Sequence, residues 1–154
     1  MRRIDREVKT FAEIVDILER CDTIRLGLQG EKYPYVVPMS FGYEVREKEI
    51  ILFVHGAPEG LKNERMNQCG DICVEADLCH GFTETAHGIT TLYESIIGFG
   101  SIERMMEKTE ARKGLDLICA HSGYRDYVYD DRALAAAAVY RIVLETVTGK
   151  RNKG

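Results

Sequence analysis

No apolar run in this sequence approaches the ~20 residues that a membrane-crossing helix needs, so no segment is expected to span a bilayer and no membrane partner is expected. The opening Met1-Arg2-Arg3-Ile4-Asp5-Arg6-Glu7 has basic residues but no apolar stretch behind them, which a secretory signal requires. The expectation is a cytoplasmic protein. Bases are too few and too scattered to line a nucleic-acid groove: 21 Lys and Arg against 25 Asp and Glu give a net charge of −4. Five cysteines, an odd number, argue against a disulfide framework and for reduced thiols. There is no internal repeat, no linker and no low-complexity segment beyond Ala135–Ala138. What is present is 154 residues, 45% hydrophobic and 30% charged, enough for a single domain spanning 1–154 with its own core.

Thr10 followed by Glu13 is a capping-box spacing, and Phe11, Ile14, Val15 and Leu18 recur at i, i+3, i+4 and i+7, which predicts a helix over 11–20. From Thr23 the pattern becomes short β-rich runs, Thr23–Leu28, Tyr35–Tyr43 and Ile50–His55, separated by polar turns and expected to form an antiparallel meander. Ile50–Val54 is apolar at every position, as in a strand covered on both faces. Pro58 suits the first turn of a helix over Glu59–Asn67 that Gly70 would stop. Ile72–Leu78 and Thr90–Arg104 read as strands, the second with Gly98 and Gly100 marking a bulge or bend. A helix over Lys108–His121, a short turn capped by Asp130, and a closing strand Val139–Val147 complete the chain. The fold class is mainly β with α (α+β): about six antiparallel strands with an N-terminal helix and peripheral helices, either as an open sheet or as a small barrel.

Three stretches could carry chemistry. In Phe53-Val54-His55-Gly56-Ala57-Pro58-Glu59-Gly60-Leu61-Lys62 a buried strand ends in a histidine, two glycines permit close backbone approach, and a helix begins. That is a phosphate cradle, with Lys62 and His55 able to contact an anion, or else a purely structural strand–loop–helix. In Tyr33–Tyr43, Pro38 removes a ladder donor and so marks a strand edge, whose free backbone groups could meet a flat ring with polar edges or nothing at all. In Tyr93–Gly100 the polar pair Glu94-Ser95 interrupts an apolar strand, by default as a surface patch.

Taken in order, Met1-Arg2-Arg3 with Asp5-Arg6, Tyr33-Pro34-Tyr35-Val36-Val37-Pro38 leading into Phe41-Gly42-Tyr43, Phe53-Val54-His55 with Gly60 and Lys62, Tyr93–Gly100, and Thr148-Gly149-Lys150-Arg151 resemble the flavin-binding split barrels related to pyridoxamine 5′-phosphate oxidase, in the branch that includes nitroimidazole-resistance proteins. The resemblance implies a split β-barrel homodimer with FMN at the subunit interface and a small-molecule substrate. It implies that Val37, Pro38, Met39 and Ser40 line the isoalloxazine, that Val54, His55 and Lys62 approach the ribityl chain and phosphate, and that Ser95 adds a polar contact. The chain departs from the pattern after Lys62, where relatives commonly carry an Asn-Pro turn and Asn67-Gln68-Cys69-Gly70 stands here.

Other readings compete. Cys69, Cys73, Cys79 and His80, with His87 nearby, are soft metal ligands, but their spacing matches no common zinc knuckle, so no metal is expected. Gly81–Gly88 reads as a loop over the barrel mouth that could gate a substrate. His121 near a helix end is favourable on dipole grounds without catalysis, and Tyr124, Tyr127 and Tyr129 suit packing or the edge of a pocket. The implied activity is a flavin-dependent oxidoreductase using NAD(P)H or another reductant; His55 either faces the substrate as proton donor or serves phosphate or ribityl binding only. The alternatives are a non-catalytic flavin- or haem-binding module, and pyridoxamine-phosphate oxidation proper. The last is disfavoured by the lack of clustered C-terminal arginines beyond Arg141 and Arg151.

Overall fold

A computed structural model describes residues 3–154; Met1 and Arg2 of the opening motif lie outside the described residues. A single turn of 3-10 helix at Ile4–Arg6 and a two-residue strand β1 (Glu7–Val8) lead into α1 (Phe11–Glu19). The capping box forms as the spacing predicts: the Glu13 N–H donates to Thr10 Oγ1 at 3.3 Å, and the Thr10 hydroxyl donates to the Glu13 carboxylate at 2.7 Å. Ile14, Ile17 and Leu18 are then buried on one face of α1.

The remaining strands are β2 (Ile24–Leu28), β3 (Tyr35–Met39), β4 (Phe41–Arg46), β5 (Glu49–Gly56), β6 (Asp71–Thr85), β7 (Gly88–Arg104) and β8 (Ala138–Asn152). The helices between them are α2 (Leu61–Gln68), α3 (Lys108–His121) and the short α4 (Asp131–Ala135). All eight strands join one antiparallel sheet in the order β3-β2-β6-β7-β8-β5-β4, with β1 added on β8. The two edge strands, β3 and β4, are consecutive in the chain and separated only by Ser40. The sheet must therefore curl until its edges approach at Ser40, although no ladder joins them. The result is a barrel left split along one seam.

β5 explains why its sequence is apolar at every position. Ile50, Leu52 and Val54 face the barrel core with Phe41, Tyr140 and Ile142, while Ile51 and Phe53 face α3 and its Leu115 and Ile118. The α3 backbone lies directly on β4, because Gly42 has no side chain: a Cβ there would stand 2.3 Å from the Leu117 carbonyl carbon and 2.4 Å from the Ile118 nitrogen.

Several sequence expectations are corrected. Tyr35–Tyr43 is two strands rather than one: β3 and β4 are not paired to each other, so the meander is interrupted at Ser40. The second helix begins at Leu61, not in the turn containing Pro58, because Gly60 takes φ +100 and serves as its N-cap. β6 runs on to Thr85 and β7 starts at Gly88, so Gly81–Gly88 is a hairpin end rather than a gating loop. β8 reaches Asn152 and lies in the middle of the sheet instead of closing it. Among the described residues eight strands form where about six were expected, the additions being the break at Ser40 and the short β1. The bulge predicted at Gly98–Gly100 is present as a register shift between Phe99 and Gly100.

Candidate functional site

The end of β5 and the start of α2 bring His55, Gly56 and Lys62 together. Val54 is wholly buried, so the strand's alternation turns His55 outward, where it is exposed at the ladder's end. Lys62 folds back from the first turn of α2 over Gly56: a Cβ on Gly56 would lie 2.9 Å from its Cε and 3.0 Å from its Nζ. Glycine at 56 is thus the condition for this lysine's position. Lys62 is half-buried, and among the described residues no carboxylate pairs with it. Gly60 supplies no side-chain cap, so the first N–H groups of α2 are left without intrahelical partners beside that ammonium. Although His55 is exposed at its outer edge, desolvation of the ring by the surrounding strand end and loop, and secondarily the Lys62 charge, lower its pKa and so favour the neutral imidazole.

A partly buried polar network that sequence reasoning missed holds this loop. Asn63 Nδ2 donates to Tyr140 Oη at 2.7 Å and to the Ala57 carbonyl at 3.3 Å, the Tyr140 hydroxyl donates to Asn67 Oδ1 at 2.9 Å, and Asn67 Nδ2 returns to Asn63 Oδ1 at 2.8 Å. Asn63 and Asn67 are one helical turn apart, and Tyr140 is the one polar-tipped side chain in the apolar start of β8; that i, i+4 pair was the available signal.

Register places the Pro38 segment next to this cluster. Phe41 pairs with Val54, which sets Ser40 beside His55 at the end of the ladder. Pro38 lies in an edge strand, as its missing N–H demands. Pro38 and Ser40 face outward, Val37 is half-buried, and Met39 and Val54 are buried, so the last two can offer a ligand only backbone atoms.

Ser95 does not join the cluster within one chain. β8 pairs with His55 at Val139 and with Ser95 at Lys150, roughly 35 Å apart along extended strand. Its neighbour Glu94 is no surface patch: it is buried, held by Arg20 at 2.6 Å, by Arg151, and by His80 Nε2 at 3.0 Å. These donors, Arg20 above all, lower its pKa to about 2 despite burial. His121 packs against the Phe41 ring at 4.3 Å and lies 2.9 Å from the Cys21 carbonyl, a structural placement.

Among the described residues no three His, Cys, Asp or Glu gather as metal ligands, and no helix is long and apolar enough to cross a membrane. A cleft of about 640 Å³ beside Leu117, Tyr124 and Tyr127 and one of about 430 Å³ around Arg6, Glu13 and Arg151 lie apart from His55 and Lys62.

The backbone is similar to that of a candidate 5-nitroimidazole antibiotic resistance protein from Bacteroides thetaiotaomicron, 28% identical, over 94% of this chain and 85% of that one, with a TM-score of 0.83. It also shares its fold with the flavocytochrome Anf3 from Azotobacter vinelandii (18% identity, all of this chain and 72% of that one, TM-score 0.81). The FAD and heme binding protein from Mycobacterium smegmatis likewise shares it (15% identity, 97% and 74%, TM-score 0.78). No curated protein matches. A family model described as pyridoxamine 5′-phosphate oxidase matches residues 10–151, nearly the whole chain, and the protein belongs to that family.

Proposed function

We propose that this protein binds FMN between two copies of the chain, with the phosphate against Lys62, His55 and the start of α2, and that it acts as a flavin-dependent oxidoreductase on a small molecule. The observation that carries this reading is the half-buried Lys62 ammonium without an acidic partner among the described residues, held over Gly56 beside an uncapped helix start. A phosphate supplies the missing negative charge and accepts from the free N–H groups. The exposed edge at Pro38 and Ser40, adjoining His55, offers backbone groups to the polar rim of the ring system. Ser95, remote within one chain, contributes from the second copy.

When bound, FMN supplies the hydride and electron chemistry. The chain binds, orients and excludes water. The lowered pKa of His55 favours the neutral imidazole, which is suited to donating one hydrogen bond to phosphate or to a ring oxygen. The likeness to the Bacteroides protein makes an aromatic nitro compound the acceptor class to try first. Oxidation of pyridoxamine phosphate itself is disfavoured, because Arg141 is engaged by Glu103 and Arg151 by Glu94 and Glu13.

A spectrum of the purified protein, followed by NADH and NADPH under nitrogen, tests the reading. A yellow colour that bleaches supports the enzyme. A yellow colour that neither donor bleaches supports a flavin carrier, red-brown material points to haem, and a colourless protein that takes up no FMN refutes flavin binding. Lys62→Ala should weaken FMN binding roughly ten- to a hundredfold, the loss of one charge-assisted contact; unchanged affinity removes Lys62 from the site.

A further inference from the structure

Between Asp71 and Thr85 of β6, His80 alone has no partner on β7. The register shifts between Cys79 and Gly81, Gly81 takes φ +108, and His80 is left as the extra residue of a bulge. Two residues past Leu78, His80 shares its face, and Leu78 is paired with Glu94. The imidazole accordingly meets the Glu94 carboxylate, with Nε2 3.0 Å from Oε2.

That carboxylate is the centre of a charge cluster. Arg20 of α1 reaches the same oxygen at 2.6 Å, and Arg151 of β8 holds the other. Arg20 also binds Asp16 at 2.9 Å, and Arg151 binds Glu13 at 3.0 Å. The groups gathered around His80 from α1, β7 and β8 are therefore the carboxylates of Glu13, Asp16 and Glu94 against the guanidiniums of Arg20 and Arg151. One negative charge is left over in a cluster whose central side chain is only 11% exposed. His80 is the remaining member able to balance it, and it does so only when protonated. Its side chain is 46% exposed, so water reaches the ring. Histidine is the side chain that changes charge between pH 5 and 8. A neutral imidazole donates from Nε2 in one tautomer alone, whereas imidazolium always donates there and brings a full charge.

The place of this contact gives it leverage. β2 pairs with β6 only from Cys73 to Glu75, and β8 pairs with β7 only as far as Tyr93. Past the bulge, residues 81–85 and 88–92 pair only with each other, and a two-stranded ribbon is marginal in water. Asn152 adds two contacts, to Thr90 Oγ1 at 3.1 Å and to the Thr91 carbonyl at 2.5 Å. His87, the ribbon's other histidine, sits in its turn, where the backbone N–H donates to Thr85 Oγ1. The His80–Glu94 contact stands at the ribbon's root.

We propose that His80 is a pH-sensitive clasp: protonated, it closes onto Glu94 and ties the 81–92 ribbon to the Arg20–Glu94–Arg151 cluster; deprotonated, it releases the ribbon while the body of the sheet stays folded. The charge count sets the sign, with the ribbon held more firmly below neutral pH and loosened as the pH rises. Glu94 remains ionised throughout that window, because Arg20, Arg151 and His80 hold its pKa at about 2. The imidazole is thus the member of the cluster that switches. The clasp requires neither a bound flavin nor a second chain.

Hydrogen exchange of the full-length protein from about pH 5 to about pH 8, corrected for the intrinsic pH dependence of amide exchange, tests the clasp. Protection of wild-type amides in 81–92 should fall about fivefold as the pH rises, the difference between a charge-assisted and a neutral hydrogen bond, while β5 and α3 keep theirs. His80→Gln, which retains a donor without a charge, should show the weaker protection at every pH, and His87→Gln should keep the wild-type profile. A wild-type ribbon whose protection does not change with pH overturns the clasp. So does a His80→Gln profile as steep as the wild type's, a slope that vanishes with His87, or a loss shared equally by β5 and α3.

Discussion

Replacing Glu94 with Gln removes one negative charge and almost no volume at the point where α1, β6, β7 and β8 converge. The native carboxylate accepts from Arg20 and Arg151 and lies 3.0 Å from His80 Nε2, and its side chain is only 11% exposed. Its pKa is lowered from an ordinary 4.5 to about 2, chiefly by Arg20, then by Arg151 and His80. At ~1.4 kcal/mol per pH unit this corresponds to about 3 kcal/mol of folding stability. A carboxyl whose folded value lies below its unfolded one stabilises the fold at pH above 4.5 and loses that contribution as the pH falls toward 2. Glu94→Gln should therefore cost about 3 kcal/mol at pH 7, and the difference from wild type should shrink across that acid window until the two proteins converge near pH 2. Urea unfolding followed by circular dichroism at fixed protein concentration and several pH values measures it. A variant that loses less than about 1 kcal/mol at neutral pH, or keeps the wild-type acid dependence, refutes the assignment of this ion cluster as a structural anchor.

Other outcomes follow from contacts already described. Gly42→Ala drives a methyl group into the α3 backbone at Leu117 and Ile118, where no flexible side chain can yield, and should destabilise by about 3 kcal/mol in thermal or urea unfolding; a loss below about 1 kcal/mol means that α3 does not seat on β4 as described. Asn63→Ala strips a donor from Tyr140 Oη and the Ala57 carbonyl and should cost about 2 kcal/mol, while also loosening the loop that positions Lys62. Measured beside Lys62→Ala, it should lower FMN affinity through positioning rather than charge, so its effect should respond less to salt than the lysine variant's.

Much of the secondary structure was legible because its causes are local. The capping box at Thr10 and Glu13, the periodicity of α3, the apolar run of β5 and the bulge glycines of β7 each announce themselves within a few residues. The errors have a common origin in non-local pairing. Gly81–Gly88 looks like a loop because its glycines, threonines and charges carry no strand signal, and only the long facing ladder makes it strand. Glu94 looks like a surface residue because its neutralising partners, Arg20 and Arg151, are distant in the chain. Tyr35–Tyr43 reads as one strand because nothing local says that the halves belong to opposite edges of the sheet.

The candidate site divides in the same way. The phosphate-cradle reading of His55, Gly56 and Lys62 was available from sequence, because strand end, glycine and helix start follow one another within one short segment. That Pro38 sits on an edge was also available, since a missing N–H can be tolerated only there. Tertiary structure alone decided that Ser40 stands beside His55, that Lys62 is folded over Gly56 and left without an acid partner among the described residues, that Asn63, Asn67 and Tyr140 brace the loop, and that Ser95 lies far from His55 and Lys62 within one chain. The physical reason is that backbone propensity and capping are settled by neighbours in sequence, whereas charge pairing, burial and the alignment of strand ends are settled by which distant segments share a ladder.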